Sequence, residues 1–166
     1  MPTLDVDGIA FTFPDGWLPS KFDDWQYYKA YANTRSGTKA VDLIAINDGT
    51  AWFIEVKDYR IYRRTKTIDL SQEVAQKVHD TLAVVLAART RALNSEEKAL
   101  ANKVSRVTRL RVVLHLEQPA KHSKLRPRAI DPANVKLKMR TLLKQIDAHP
   151  LVADRDNLRG LGWTTQ

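Results

Sequence analysis

Cysteine is absent from this sequence. That excludes a disulfide framework, a thiolate nucleophile and a Cys-ligated zinc site. Long apolar runs are missing too. No stretch approaches the roughly 20 residues that a membrane-spanning helix needs, so no membrane is expected among its partners. The opening residues, MPTLDVDGIA, carry neither the basic nor the apolar segment of a secretory signal. Also absent are a Gly-rich phosphate loop, an H-E-x-x-H zinc motif and a Ser/His/Asp arrangement with a recognisable nucleophile elbow. The one D-x-D-G, Asp5 to Gly8, lacks the rest of a calcium loop. These absences lead to the expectation of a cytoplasmic protein.

What is present is a chain of 166 residues, 43% hydrophobic and 28% charged, long enough for a single domain over residues 1–166 with a sizeable core. Its 27 basic residues against 19 acidic ones give a net charge of +8. Such a balance favours a polyanionic partner, nucleic acid or an anionic surface, although charge alone leaves a merely basic surface open.

Ile9 to Phe13 form a strand candidate closed by the turn residues Pro14-Asp15-Gly16. Asp23 or Asp24 can then cap a short helix running to Arg35, while Trp25, Tyr27 and Tyr31 would suit a strand equally well. AVDLIAI and AWFIEVK read as strands joined through Asp48-Gly49, a strong hairpin signal. Val41, Leu43, Trp52 and Ile54 make one apolar face, and Ile44, Ile46 and Phe53 the other. A sheet apolar on both faces is covered on both faces, which points to an α/β fold: a small central mixed sheet flanked by helices. Val74, Val78, Leu82, Val85 and Leu86 predict a helix from Asp69 to about Asn94. Asn94 and Glu97 have the spacing of a capping box for a second helix to about Val104. Leu110 to Leu116 read as a strand. Asp131-Pro132 opens a C-terminal helix along Val135, Met139, Leu142, Leu143 and Ile146, and His149-Pro150 closes it. The tail to Gln166 is expected to be irregular.

A turn centred on Asp48-Gly49 pairs Ile46 with Ala51, Ile44 with Phe53, and Asp42 with Glu55. Lys57 lies two residues beyond Glu55, on the same face. Opposed carboxylates with Cβ atoms roughly 5 Å apart repel one another. A divalent cation between them removes that penalty and makes them its ligands, with Lys57 beside it to position or deprotonate a water. A three-residue loop or a bulge would put Asp42 on the other face, and a solvated strand end is the alternative reading of Glu55 and Lys57.

An aspartate on one hairpin strand and Glu-x-Lys on the next resembles the PD-(D/E)xK nuclease superfamily, the restriction endonuclease-like fold. The match is Asp42 followed by Glu55-Val56-Lys57, within a pattern covering roughly Lys39 to Glu117. The resemblance implies a Mg2+- or Mn2+-dependent nuclease that hydrolyses DNA phosphodiesters, with RNA left open. It assigns Asp42, Glu55 and the Val56 carbonyl to the metal and Lys57 to the water. Val41 stands where the family often has proline, and Pro14-Asp15 lies too far upstream to be the motif's "PD". The family core places a helix and then a strand before the motif hairpin. The same fold without activity, serving only to bind nucleic acid or a protein partner, is the rival reading.

The family often carries an extra acidic residue early in the chain, for which Asp23 and Asp24 are candidates, and a polar residue on the helix after Glu-x-Lys. Gln72, Gln76 and His79 form the stripe from which that residue is expected, and Gln76 is selected as the fourth catalytic residue. Arg60, Arg63, Arg64 and Lys66 follow the motif and are expected at phosphates, as are Lys121, Lys124, Arg126 and Arg128. Tyr59 either stacks on a base or packs. His115 reads as structural, and His122 and His149 show no ligand spacing. Cleavage of both strands of a duplex would call for a homodimer.

Overall fold

The computed structural model describes residues 1–119 and 130–166. A five-stranded mixed sheet organises them. Its strands are β3 (Leu18–Lys21), β4 (Leu43–Asn47), β5 (Thr50–Asp58), β6 (Arg109–Glu117) and β7 (Leu151–Ala153), adjacent in that order. The first three run antiparallel, whereas β5, β6 and β7 are mutually parallel. Parallel neighbours need a long crossover. Between β5 and β6 it is supplied by α2 (Leu70–Arg91) and α3 (Ser95–Val104), and between β6 and β7 by α4 (Pro132–Leu143). A second sheet, β1 (Thr3–Val6), β2 (Ile9–Thr12) and β8 (Thr164–Thr165), is antiparallel.

Both faces of the large sheet are covered, as its two-sided apolarity requires, but by different things. On one face Ile44, Phe53, Val112 and Leu114 pack against Val74, Val78, Val85, Ala101 and Met139 of the helices. On the other, Leu43, Ile54, Val56 and Val113 meet Phe11 and Phe13 from the N-terminal segment and Trp163. A small sheet and an aromatic cluster therefore cover the second face in place of helices. Gly162 belongs to this cover. A Cβ there would lie 2.3 Å from the Trp17 ring, so the chain passes the indole only without a side chain.

The hairpin register is the expected one: Ile46 pairs with Ala51, Ile44 with Phe53 and Leu43 with Ile54. Asp48 and Gly49 have φ of 44° and 65°, the positive pair of a type I′ turn that matches strand twist. Val41 is not in the strand. It packs with the helical layer rather than beside Leu43, and its amide donates to the Thr81 hydroxyl at 3.0 Å.

Three expectations are corrected. Asp23 and Asp24 do not cap a helix but sit in a single 3-10 turn, Phe22–Asp24, ahead of α1 (Gln26–Thr34). β3 lies before α1, so the order is strand, helix, hairpin, not the helix then strand that the nuclease family implies. The tail is not irregular throughout, because it supplies β7 and β8. Asp69, not Ser71, caps α2 by accepting the Ser71 amide proton, and Asp131 opens α4 as expected.

Candidate functional site

The β4–β5 ladder ends at the pair Leu43–Ile54, one step short of Asp42 and Glu55. There the Asp42 side chain takes over from the backbone, its Oδ2 accepting the Val56 amide proton at 2.6 Å. Asp42 is thus held beside the strand end by the residue between Glu55 and Lys57. Glu55 and Lys57 continue the face of Ala51 and Phe53, which looks towards α2.

Glu55 is fully buried. Its Oε1 accepts from two ammonium groups, Lys57 at 2.5 Å and Lys77 of α2 at 2.6 Å. Its Oε2 is buried with no hydrogen-bond partner. Burial, with the Asp42 charge behind it, pushes the Glu55 carboxyl up to about 7, against the pull of Lys77 and Lys57. Burial alone would lower Lys57, but Glu55, Asp42 and Glu73 overturn it and hold that ammonium above the ordinary lysine range. Lys77 Nζ also lies 3.8 Å from Asp42 Oδ1. Asp23 joins the cluster electrostatically: burial first, then Asp42 and Asp24, raise its carboxyl, and its Oδ1 is buried without a partner.

One flank of α2 places these groups. Glu73 reaches Lys57 at 3.7 Å, Lys77 reaches Glu55, Asp80 accepts the Lys39 amide proton at 2.9 Å, and Thr81 accepts that of Val41. Helical spacing aligns these four positions along the edge of the strand and the loop leading into β4. Gln76 does not stand in this row. It is exposed, as are Gln72 and His79, on the flank of the apolar arc away from the strand end. The position expected of Gln76 is held by Lys77, the next residue and about 100° around the helix. The apolar spacing of α2 located the arc but not which flank meets β5. The available signal was Glu73 and Lys77, one turn apart beside that arc.

The basic loop is partly consumed by the chain's own carboxylates. Arg60 forks onto Asp58 with contacts of 2.5 to 3.1 Å. Arg64 and Lys66 both reach Glu73 at 2.6 Å, and Arg64 also donates to the Tyr59 hydroxyl at 3.1 Å. Arg63 is exposed. Lys121, His122, Lys124, Arg126 and Arg128 lie outside the described residues. His115 is buried on the opposite sheet face, where it bonds Glu117 at 2.9 Å and meets the Phe11 ring edge-on. His149 donates its amide proton to Asp147.

Among the described residues no three Asp, Glu or His side chains form a ready metal cluster. The donor chemistry nonetheless fits a hard cation. Mg2+ is commonly held by one or two carboxylates with waters and substrate phosphates completing its shell. Asp42 and Glu55 offer carboxylate oxygens, and Glu55 Oε2 is a buried acceptor with nothing to accept.

No helix among the described residues is long and apolar enough to cross a membrane. No protein-family profile matches the chain, and no solved structure matches it. A cysteine–tRNA ligase from Neisseria meningitidis serogroup A / serotype 4A is 30% identical to it over 168 residues, covering 81% of this chain. The chain spans only 24% of that ligase's length, so the similarity is to one part of a much longer protein.

Proposed function

We propose that the protein is a metal-dependent nuclease of the PD-(D/E)xK kind that hydrolyses DNA phosphodiesters at the open end of the β4–β5 hairpin. The observation that carries this reading is Glu55: a carboxylate buried with one bare oxygen, beside Asp42 and under two lysines. A structural acid in that position would be expected to have both oxygens satisfied. Asp42 and Glu55, with the Val56 carbonyl, would hold Mg2+ or Mn2+. The ion, when bound, would polarise the phosphate and lower the pKa of a bound water. Lys57, held protonated by its carboxylate neighbours, is suited to orienting that water and stabilising charge on the phosphorane, and unsuited to removing a proton. The water oxygen bonds to phosphorus as its proton passes to bulk water, the P–O bond to the leaving alcohol breaks, and that alkoxide takes a proton from bulk water.

A second reading, a nucleic-acid-binding module without cleavage, draws on the ligase similarity, because that relative's name includes a tRNA. One assay separates them. Plasmid DNA, oligonucleotides and tRNA are incubated with Mg2+, Mn2+ or EDTA and with wild type, Glu55→Ala or Lys57→Ala. Metal-dependent cleavage lost in both variants supports the nuclease. Salt-dependent binding with no cleavage under any metal supports the module, and cleavage equal in all three proteins overturns the site.

A further inference from the structure

The position between the two candidate metal carboxylates already has a positive charge beside it. Lys77 Nζ stands 2.6 Å from Glu55 Oε1 and 3.8 Å from Asp42 Oδ1, so it faces both. Lys57 touches the same Glu55 oxygen, but its second ion pair is with Glu73, at 3.7 Å. The two ammonium groups are equal in charge and similarly buried, 14% and 17% exposed, yet only Lys77 bridges the pair.

We infer that the Lys77 ammonium is a tethered stand-in for the divalent ion, and that an ion taken up by Asp42 and Glu55 must displace it. The inference rests on the metal reading above. Two carboxylates brought to one strand end repel each other, and the Lys77 ammonium on the packed helix is the cation within reach of both. A divalent ion held between the two carboxylates would repel the ammonium that reaches both of them, and a four-carbon stem lets that ammonium swing outwards. Lys57 has Glu73 as a second carboxylate to hold it and can stay. Lys77 thereby sets the metal affinity of the site: the tighter its hold on Glu55, the more Mg2+ is needed to load it.

Two measurements test this on the full chain. In the first, the lysines of wild type are acetylated with acetic anhydride, with and without saturating Mn2+, and each modified site is quantified by mass spectrometry. Lys77 should become several-fold more reactive when Mn2+ is bound, while Lys57 stays protected. In the second, Mn2+ binding is measured by calorimetry for wild type, Lys77→Gln and Lys57→Gln, each checked for cooperative unfolding. Lys77→Gln should bind about tenfold tighter or more, and Lys57→Gln should gain clearly less. Mn2+ bound with Lys77 still protected, or equal gains in the two variants, overturns displacement while leaving the metal reading intact. Mn2+ bound by none of the three proteins overturns both.

Discussion

Glu97 belongs to α3 and caps α1. Helix α1 begins at Gln26, and its N-cap residue, Trp25, offers no side-chain acceptor to the first turn. The Glu97 carboxylate fills the gap from 71 residues away, Oε1 accepting the Gln26 amide proton at 2.7 Å and Oε2 that of Tyr27 at 3.1 Å. Hydrogen bonds to a charged acceptor contribute about 1.5–3 kcal/mol each, and a carboxylate at a helix N-terminus adds about 0.3–1 kcal/mol. Water regains part of this after truncation, so Glu97→Ala should cost about 2–4 kcal/mol. Glu97→Gln keeps one acceptor and should cost roughly half as much. With a urea m-value of about 2 kcal/mol/M, the alanine variant should unfold about 1–2 M earlier. A midpoint shift corresponding to less than about 0.5 kcal/mol would refute the cap, because surface substitutions alone stay within that range.

Glu73 provides a pH signature. Its burial would raise it, but Lys66, Arg64 and Lys57 hold its carboxyl at about 2, below the usual 4.5. A depressed acid contributes stability that is complete above the unfolded pKa and is lost as pH falls from 4.5 towards 2. At about 1.4 kcal/mol per unit this amounts to no more than about 3 kcal/mol, and Glu73→Gln should flatten that acid limb in urea titrations between pH 6 and 2.5. On the proposed nuclease reading, Gln76→Ala should cleave plasmid DNA within about twofold of wild type, because Gln76 is exposed. On the same reading, Lys57→Ala should lose about 100-fold or more in that assay, the size of loss typical for one transition-state donor.

The sequence made some features easy to read because local rules dictate them. Asp48-Gly49 fixes a two-residue turn, the turn sets the register, and the register brings Asp42 and Glu55 to one strand end. Asp69 and Asp131 cap their helices through their own neighbouring amides. What stayed hidden depends on tertiary packing. Asn94 and Glu97 have capping-box spacing, and Asn94 does cap α3, but the Glu97 side chain turns to α1 because α1 lacks an acceptor of its own. Lys77 and Gln76 flank the same arc, and only the angle at which α2 crosses β5 selects between them. β7 and β8 are too short to show alternation, and their pairing partners lie far away along the chain.

The opposed charges at the hairpin end have a measurable consequence for the fold. A buried carboxyl raised from 4.5 to about 7 means the folded protein resists its ionisation. Stability is therefore lost as pH rises from about 4.5 through 7, by an amount on the order of 3 kcal/mol. Two lysines lessen that loss without removing it, since they share Oε1 and leave Oε2 bare. An apolar residue at position 55 would extend the packing of Ala51 and Phe53 towards α2 and carry no ionisation cost. Glu55 stands there instead, with Asp42 fixed beside it through the Val56 amide and Lys77 poised between them. A cation arriving at Oε2 would lower the carboxyl's pKa and return the lost stability, which ties the folding energetics of the strand end to the occupancy of the site.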